Sequence, residues 1–165
     1  MLFDKTQIAE MYEKTYSKVY NYFYYTTLSK ERAEDLTSRT YIRFLEKFHL
    51  YDPERAGISV WIMSIAHNIW NDEYRTSVRH QCKSFDEVEE RLLKREPEEL
   101  DDLELKMVVE KLMSCLAERE RSIVGMRYKM ELPYKQIADI TGTTEKNVSV
   151  ILSRSLQKMR TILED

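Results

Sequence analysis

The side chains of this chain that could do chemistry are concentrated between Tyr134 and Arg154. Hydroxyl, amide, ammonium and guanidinium groups recur there along two predicted helices. Such groups hydrogen-bond to base edges and to phosphate oxygens of duplex DNA. We therefore interpret the following residues as DNA-contacting: Tyr134, Lys135, Thr144, Glu145, Lys146, Asn147, Ser149, Val150, Ser153 and Arg154.

The spacing around these residues predicts a helix-turn-helix. Ala138 is small where two helices must cross closely, and Gly142 supplies the positive φ that a tight inter-helix turn needs. Thr144 can cap the second helix, which would lie in the major groove. Apolar side chains return to the shared core at helical spacing, at Val148 and at Ile151 or Leu152. The alternative interpretation is an ordinary helical hairpin.

Catalysis finds little support in the sequence. The histidines His49, His67 and His80 share no metal-ligand spacing, and His67 is predicted to lie on the surface of a helix. The pair Asp72-Glu73 could serve as acid and base, but a solvated helix face is the favoured interpretation. The chain has no glycine-rich phosphate loop and no GxSxG or HExxH motif. We predict that it is not an enzyme and holds no cofactor.

Cysteine usage and hydropathy indicate the compartment. Cys82 and Cys115 are lone thiols without CxxC spacing, which argues against a zinc site and favours a reducing cytoplasm. The longest uncharged run near the N-terminus, residues 19–29, is too short to cross a bilayer. We therefore expect a cytoplasmic protein with no membrane insertion.

Charge is distributed unevenly along the 165 residues. The formal net charge is −3, yet residues 86–104 contain ten acidic and three basic residues, a local charge of −7, which leaves the remainder at +4. An acidic segment is repelled by phosphates, so it should avoid DNA. We interpret this segment as a connector between two units.

Only three glycines and three prolines occur, and this scarcity favours helix nearly everywhere. Apolar stripes at helical spacing predict three helices in the first half, including one with Leu36, Phe44 and Leu45 in its stripe. The tyrosines between residues 20 and 25 are interpreted as core rather than as a stacking platform. The predicted fold is all-α, with an N-terminal helical bundle (1–79), an acidic linker (80–102) and a C-terminal four-helix module containing the helix-turn-helix (103–165).

Four motifs in order resemble those of the extracytoplasmic-function (ECF) group of alternative RNA polymerase sigma factors. The first is AEDLT at residues 33–37, followed by Tyr41, Arg43, Phe44 and Leu45. The second resembles the pattern W-[LI]-x-x-I-A-x-N-x-x-x-D-x-x-R and begins at Trp61. The third and fourth are LAERER at residues 116–121 and LPYKQIA at residues 132–138. Together they cover nearly the whole chain.

The resemblance implies roles that periodicity alone cannot reveal. The second helix would dock on core RNA polymerase through Asp35, Leu36, Arg39, Thr40, Arg43 and Phe44. Melted single-stranded DNA of the minus-ten promoter element would be held by Tyr51, Asp52, Arg55, Asn68, Asn71 and Arg75. The helix-turn-helix would read the minus-thirty-five element of the promoter as duplex. Sigma factors of this group are often held by an anti-sigma protein, which is a further expected partner.

The chain departs from the family pattern in its recognition helix. Three positions that are usually basic are Ser149, Ile151 and Leu156, and Ala117 replaces the usual proline. Fewer phosphate contacts would lower the affinity for DNA and its dependence on salt. Two other functions stay open from the residues alone: a free-standing helix-turn-helix regulator and a scaffold protein.

Overall fold

The fold of this protein is all-α, as predicted. The computed structural model describes residues 3–76 and 90–164, and these ranges contain eight α-helices and no strand. His80, Cys82 and the first ten residues of the predicted linker lie outside the described residues. None of the described helices is long and apolar enough to cross a membrane.

The first module contains helices α1 (Lys5–Thr27), α2 (Lys30–Lys47) and α3 (Ile58–Thr76). A capping box starts α1, in which the Asp4 carboxylate accepts from the Gln7 amide and the Gln7 side chain accepts from the Asp4 amide. Leu28 ends α1 in the left-handed region at φ 52°, and the Ser29 hydroxyl caps α2. The chain therefore reverses direction within two residues, which lays α2 alongside α1.

The core of the first module lies among these three helices. Its fully buried apolar side chains include Val19, Phe23, Leu36, Phe44, Ile62, Met63 and Ala66. Tyr22, Tyr24 and Tyr25 are also buried, which confirms the interpretation of the tyrosine run as core. The prediction that Leu45 belongs to the core is wrong, because its side chain is 60% exposed.

Part of the predicted linker has regular structure. It contains the short helix α4 (Glu90–Leu93) and a 3-10 turn (Pro97–Glu99). Leu92 is buried, and Arg95 forms an ion pair with Glu104 at 3.4 Å. The segment from residue 90 onward is thus attached to the start of the second module.

The second module contains α5 (Asp102–Ser114), α6 (Glu118–Tyr128), α7 (Tyr134–Thr141) and α8 (Glu145–Glu164). The helix-turn-helix predicted from the sequence is formed by α7 and α8. Gly142 joins them at φ 72°, and the Thr144 hydroxyl accepts a hydrogen bond of 3.1 Å from the Asn147 amide. Leu152, rather than Ile151, is the fully buried residue of the pair left open above.

The two modules pack directly against each other. Helix α1 lies along α6, and α3 contacts α7. The Tyr22 hydroxyl shares a hydrogen bond of 2.5 Å with the Ser122 hydroxyl, and the Arg121 guanidinium donates to the Thr26 carbonyl at 2.7 Å. We call the packed surfaces of α1, α2 and α3 against α6 and α7 the inter-module interface.

Candidate nucleic-acid interface

Helix α8 exposes the polar face that the sequence assigns to DNA. Thr144, Glu145, Lys146, Asn147, Ser153 and Arg154 are exposed, while Ser149 and Val150 are half-buried. On the opposite face, Val148, Leu152 and Ser155 are buried. Residues at the start of a recognition helix are those that reach base edges, and this end of α8 is accessible.

The start of α8 holds one amide side chain in a defined orientation. Asn147 donates from its side-chain nitrogen to the Thr143 hydroxyl at 2.8 Å, one helical turn earlier. That contact uses one of the two amide hydrogens of this exposed side chain; an amide oxygen together with an amide hydrogen is the pair of groups that reads adenine. Tyr134 lies under the Arg127 guanidinium, 4.9 Å from the ring centre, and Lys135 is exposed at the start of α7.

Basic side chains flank this face where α6 meets α8. Arg119, Arg154 and Lys158 line a shallow groove of about 300 Å³. Glu120 anchors the groove, since both of its oxygens accept from the Lys158 ammonium at 2.9 Å. Partial burial tends to raise the pKa of Glu120, but the Lys158 ammonium and the Ala117 amide outweigh it, so this pKa lies below its usual range. Lys158 is therefore held by an ion pair, while Arg154 stays exposed beside it.

The loop assigned to the minus-ten element is built on an aromatic cluster. Tyr51 is buried, with its ring 5.0 Å from that of Trp61 and 5.9 Å from that of Phe48. Asp52 shapes the following turn by accepting from the Glu54 amide at 2.9 Å. The assignment of Tyr51 as a DNA-contacting side chain is not supported by its position, because its ring faces the protein; Arg55 is the exposed cation of this loop.

The polar residues of α3 lie farther along the same helix. Asn68 and Arg75 are exposed and Asn71 is half-buried. The rise per residue puts Asn71 about 20 Å along the axis from the start of α3, so these residues and the loop do not converge on one point. Asn71 and Arg75 instead line a groove of about 250 Å³ whose far wall is the second module, at Arg119, Ser122, Ile123 and Thr141.

The helix assigned to polymerase binding separates into two faces. Leu36, Thr40 and Phe44 are fully buried, so the sequence-based assignment of direct contact does not fit these three positions. Asp35, Arg39 and Arg43 are exposed, and Asp35 forms an ion pair with Arg39 at 3.4 Å. Two residues that the sequence-based assignment missed share this exposed face, Ile42 at 59% and Leu45 at 60% exposure.

The residues considered for catalysis have structural contacts. Glu73 is not part of a solvated face, because it accepts from Arg32 at 3.1 Å; its neighbour Asp72 is exposed. His67 is half-buried rather than on the surface, and its Nδ1 has no hydrogen-bond partner within the described residues. In the same part of the chain, no three histidine, cysteine or acidic side chains are grouped to hold a metal ion.

Burial of His67 predicts a loss of stability in mild acid. Burial lowers the pKa of its imidazole from 6.5 to about 4, because the charged form loses its hydration. Below pH 6.5 the unfolded chain binds a proton that the folded chain excludes, so stability falls with falling pH. We expect a loss of about 1.5 kcal/mol between pH 6.5 and pH 5, measured by urea unfolding. The His67→Gln variant should lose markedly less over this window, and an equal loss in both proteins would contradict the assignment.

Comparison with known proteins decides the family. Residues 11–80 match the family model described as Sigma-70 region 2, and residues 112–161 match the model described as Sigma-70, region 4. The chain belongs to the ECF sigma factors. The two matched regions follow the two modules, and the exposed face of α8 lies within region 4.

Relatives of this sigma factor match it over nearly its whole length. The ECF RNA polymerase sigma factor SigM of Bacillus subtilis (strain 168) is 26% identical over 155 residues, which are 94% of this chain and 94% of that protein. The RNA polymerase sigma factor YlaC of the same organism is 24% identical over 159 residues, covering 94% of this chain and 91% of that protein.

One solved structure has the same fold. It is the sigma factor RpoE in complex with the anti-sigma factor NepR from Bartonella quintana, with a TM-score of 0.75. The likeness covers 95% of this chain and 96% of that one, at 15% sequence identity.

Proposed function

We propose that this sigma factor binds core RNA polymerase and directs it to promoters through two separate DNA contacts. The carrying observation is the exposed polar face at the start of α8, in a helix whose other face is buried. We place the polymerase-binding and minus-ten functions in residues 1–79, the acidic linker in residues 80–102 and the minus-thirty-five function in residues 103–165.

Helix α8 reads the duplex minus-thirty-five element in this proposal. Lys146 and Asn147 contact base edges, and Arg154 together with Lys135 contacts phosphates. Thr143 is a positioning residue, since its hydroxyl holds the Asn147 amide. The supporting observation is that these side chains are all exposed and belong to the two helices of the helix-turn-helix, α7 and α8.

The melted minus-ten strand lies along α3 and the loop before it. Asn68, Asn71 and Arg75 supply amide and guanidinium donors, and Arg55 supplies a cation at the loop. Tyr51 and Asp52 support the loop from behind. Holding an extruded base in a pocket must offset an unstacking cost of a few kcal/mol, so contacts to both base and backbone are needed.

The exposed face of α2 is the docking surface for core polymerase. Asp35, Arg39 and Arg43 provide charged contacts, and Ile42 and Leu45 provide apolar ones. The buried residues Leu36, Thr40 and Phe44 support this face from the core. Apolar side chains flanked by charged ones fit an interface that has an apolar centre and a polar rim.

An anti-sigma protein is a third partner in this proposal. Binding to polymerase, to promoter DNA and to the anti-sigma protein takes place in the cytoplasm, and this chain catalyses no reaction. The structural neighbour is itself a sigma factor bound to an anti-sigma factor. A pull-down from the source cell that recovers only polymerase would count against such a partner.

The alternative function, a free-standing helix-turn-helix regulator, is not favoured, because both modules match sigma-70 regions.

Substitutions at the start of α8 should relax promoter choice at single base pairs. Replacing Asn147 or Lys146 with alanine is expected to cost about 1–3 kcal/mol of discrimination at one position of the upstream element. The measurement is binding of holoenzyme to a promoter library varied only in that element. Gln157→Ala, an exposed change farther along α8, is the matched control. If the natural protein, the two variants and the control all prefer the same upstream-element sequences, α8 does not read the bases.

The direct test of the proposed function is association with core polymerase. The purified chain should co-elute with bacterial core enzyme in size-exclusion chromatography at low salt. Failure to co-elute would refute the proposal, whereas tight sequence-specific binding of the chain alone to duplex DNA would favour the free-standing regulator.

A further inference from the structure

A pocket of about 280 Å³ in the second module has apolar walls and one cation. Helix α5 contributes Val109 and Met113 to its walls, and α8 contributes Leu156 and Met159. Of the described residues that line it, Lys129 alone is charged. We call this space the α5–α8 pocket. None of the residues assigned above to DNA or to core polymerase lines it, so it is a separate site.

Helix α1 supplies an aromatic wall of the α5–α8 pocket. Tyr25 reaches the pocket because α1 lies close to α6 at Gly125, where no side chain fits. A Cβ atom built on Gly125 would lie 2.9 Å from Cδ2 of Tyr22, which is too short for two carbon atoms in contact. The pocket opens to solvent where Leu156 is 38% and Tyr128 is 53% exposed. A small molecule can therefore enter the pocket from this side.

The Lys129 ammonium lacks the counter-ion that a partly buried charge usually has. It lies 4.4 Å from the centre of the Tyr25 ring, which is a cation–π contact. Burial lowers the pKa of Lys129, and no carboxylate of the described residues offsets this effect. A partly desolvated cation attracts an anion more strongly than a fully hydrated cation does. The pocket therefore favours a ligand that carries one negative group at the end of an apolar body.

The size of the α5–α8 pocket limits the apolar body of such a ligand. An engineered protein cavity of about 150 Å³ holds benzene, which has six carbon atoms. By the same ratio, a volume of about 280 Å³ holds about ten carbon atoms. Met113 and Met159 have flexible side chains that can adjust to the shape of an alkyl chain. The apolar body is therefore a medium-length chain rather than a long one.

The apolar wall on α8 depends on a residue in which this chain departs from its family. Leu156 occupies one of the three positions of the recognition helix that are usually basic. A lysine or an arginine at this position would put a second cation at the mouth of the pocket. The combination of apolar walls and a single ammonium group is therefore specified by this chain's own sequence.

We propose that the α5–α8 pocket binds a medium-chain fatty acid, an unbranched monocarboxylate of about 8–12 carbon atoms. Its carboxylate pairs with the Lys129 ammonium, and its alkyl chain lies between α5 and α8 against the Tyr25 ring. The alternative occupant is an apolar side chain of a partner protein, which would leave the ammonium without a counter-ion. This inference goes beyond the proposed function, because neither polymerase nor DNA takes part in the binding.

The first test is the dependence of affinity on chain length. Saturated carboxylates of increasing length are titrated into the full chain by isothermal titration calorimetry, below the concentrations at which they form micelles. Each further methylene group that is buried should raise the affinity about fourfold. The increase should end at about ten carbon atoms, because longer chains project into solvent.

The second test is the dependence of affinity on the charged group. Decan-1-ol should bind at least about tenfold more weakly than decanoate, because a hydrogen bond between two charged groups is stronger than one to a neutral hydroxyl. Lys129→Met keeps the apolar stem of the side chain and removes the charge, so this variant should bind the acid and the alcohol about equally. Lys129→Arg should restore the preference for the acid. Lys14→Met, an exposed change on α1, is the matched control and should bind as the natural protein does.

A third variant fills the pocket. Val109→Trp replaces a half-buried side chain of the wall with a much larger one, and it should bind neither decanoate nor decan-1-ol. Circular dichroism checks that its helicity is unchanged. Should this variant fail to fold, the Lys129→Met and Lys129→Arg pair still decides the result, because their comparison needs no change in the apolar walls.

The outcomes separate this proposal from others. An affinity that levels off at about ten carbon atoms, with a preference for the acid that needs the charge at position 129, supports the proposal. Absence of binding at about 1 mM decanoate would overturn it, and so would equal binding of acid and alcohol by the natural protein. If decanoate does not bind while Val109→Trp loses core polymerase, the pocket receives a protein side chain instead. Failure of the natural protein to bind core polymerase would refute the proposed function and leave the fatty-acid result unaffected.

Discussion

Replacing Ile42 and Leu45 together with glutamate is expected to weaken binding of this sigma factor to core RNA polymerase by at least about 100-fold. Both side chains are exposed on α2 beside the charged residues Arg39 and Arg43. Truncating a hot-spot residue of an interface costs about 2 kcal/mol or more, and two buried carboxylates without partners add a desolvation cost. Affinity is measured by competition against a labelled sigma factor for core enzyme.

The matched control changes another exposed leucine of the same chain. Leu103 lies at the start of α5 and is 68% exposed, so Leu103→Glu places one carboxylate, half the charge of the double variant, on a different surface. It should bind core with the affinity of the natural protein. If Ile42→Glu/Leu45→Glu binds core normally while its helicity is intact, the docking surface lies elsewhere.

Phe44→Ala is expected to destabilise the first module by about 3–5 kcal/mol. Phe44 is fully buried and packs with its ring centre 5.6 Å from that of Trp61 and 5.8 Å from that of Tyr41. Truncating it leaves a cavity among α2, α3 and the aromatic cluster, which cannot close fully around the smaller side chain. The free energy of unfolding is measured by urea denaturation followed by circular dichroism.

The neighbouring residue gives the control for this prediction. Arg43 is exposed, and Arg43→Ala should change the free energy of unfolding by less than about 0.5 kcal/mol. Any loss of transcription would then arise from the docking face in Arg43→Ala and from the fold in Phe44→Ala. A normally stable Phe44→Ala variant would show that Phe44 is not a core residue.

Helix α2 shows what could and could not be predicted from the sequence. The spacing of apolar residues correctly predicted the buried stripe through Leu36 and Phe44. Leu45 was placed in the same stripe, yet successive residues differ by about 100° around a helix, so a residue next to Phe44 lies at the edge of its face. Which edge of the face is buried depends on the position of the neighbouring helices. Helices α1 and α3 do not cover the edge on which Leu45 lies, so its side chain is exposed.

The family motifs did not predict the exposure of individual side chains. Tyr51 belongs to the loop assigned to the minus-ten strand, but aromatic packing with Phe48 and Trp61 turns its ring inward. Thr40 belongs to the motif of the docking helix, but its side chain is fully buried. Its hydroxyl donates a hydrogen bond to the Leu36 carbonyl inside the core and cannot contact a partner protein. A motif records that a residue matters without recording whether it contacts a partner or supports the residue that does.

The inter-module interface could not be predicted from periodicity, since its signal is the lack of large side chains. Ser122 and Gly125 lie one turn apart on α6 and are poor helix formers at buried positions. Within one helix they indicate only a small-residue stripe, and the partner that fills it, Tyr22, lies about a hundred residues earlier. The structure was needed to show that α1 is the element that covers them.

Transcription by reconstituted holoenzyme over a library of genomic fragments tests the central claim most directly. With the purified chain and core polymerase, the account predicts discrete start sites preceded by two shared sequence elements at a fixed spacing, and the Ile42→Glu/Leu45→Glu variant should give none of them. Start sites that are the same with and without this chain would contradict its function as a sigma factor.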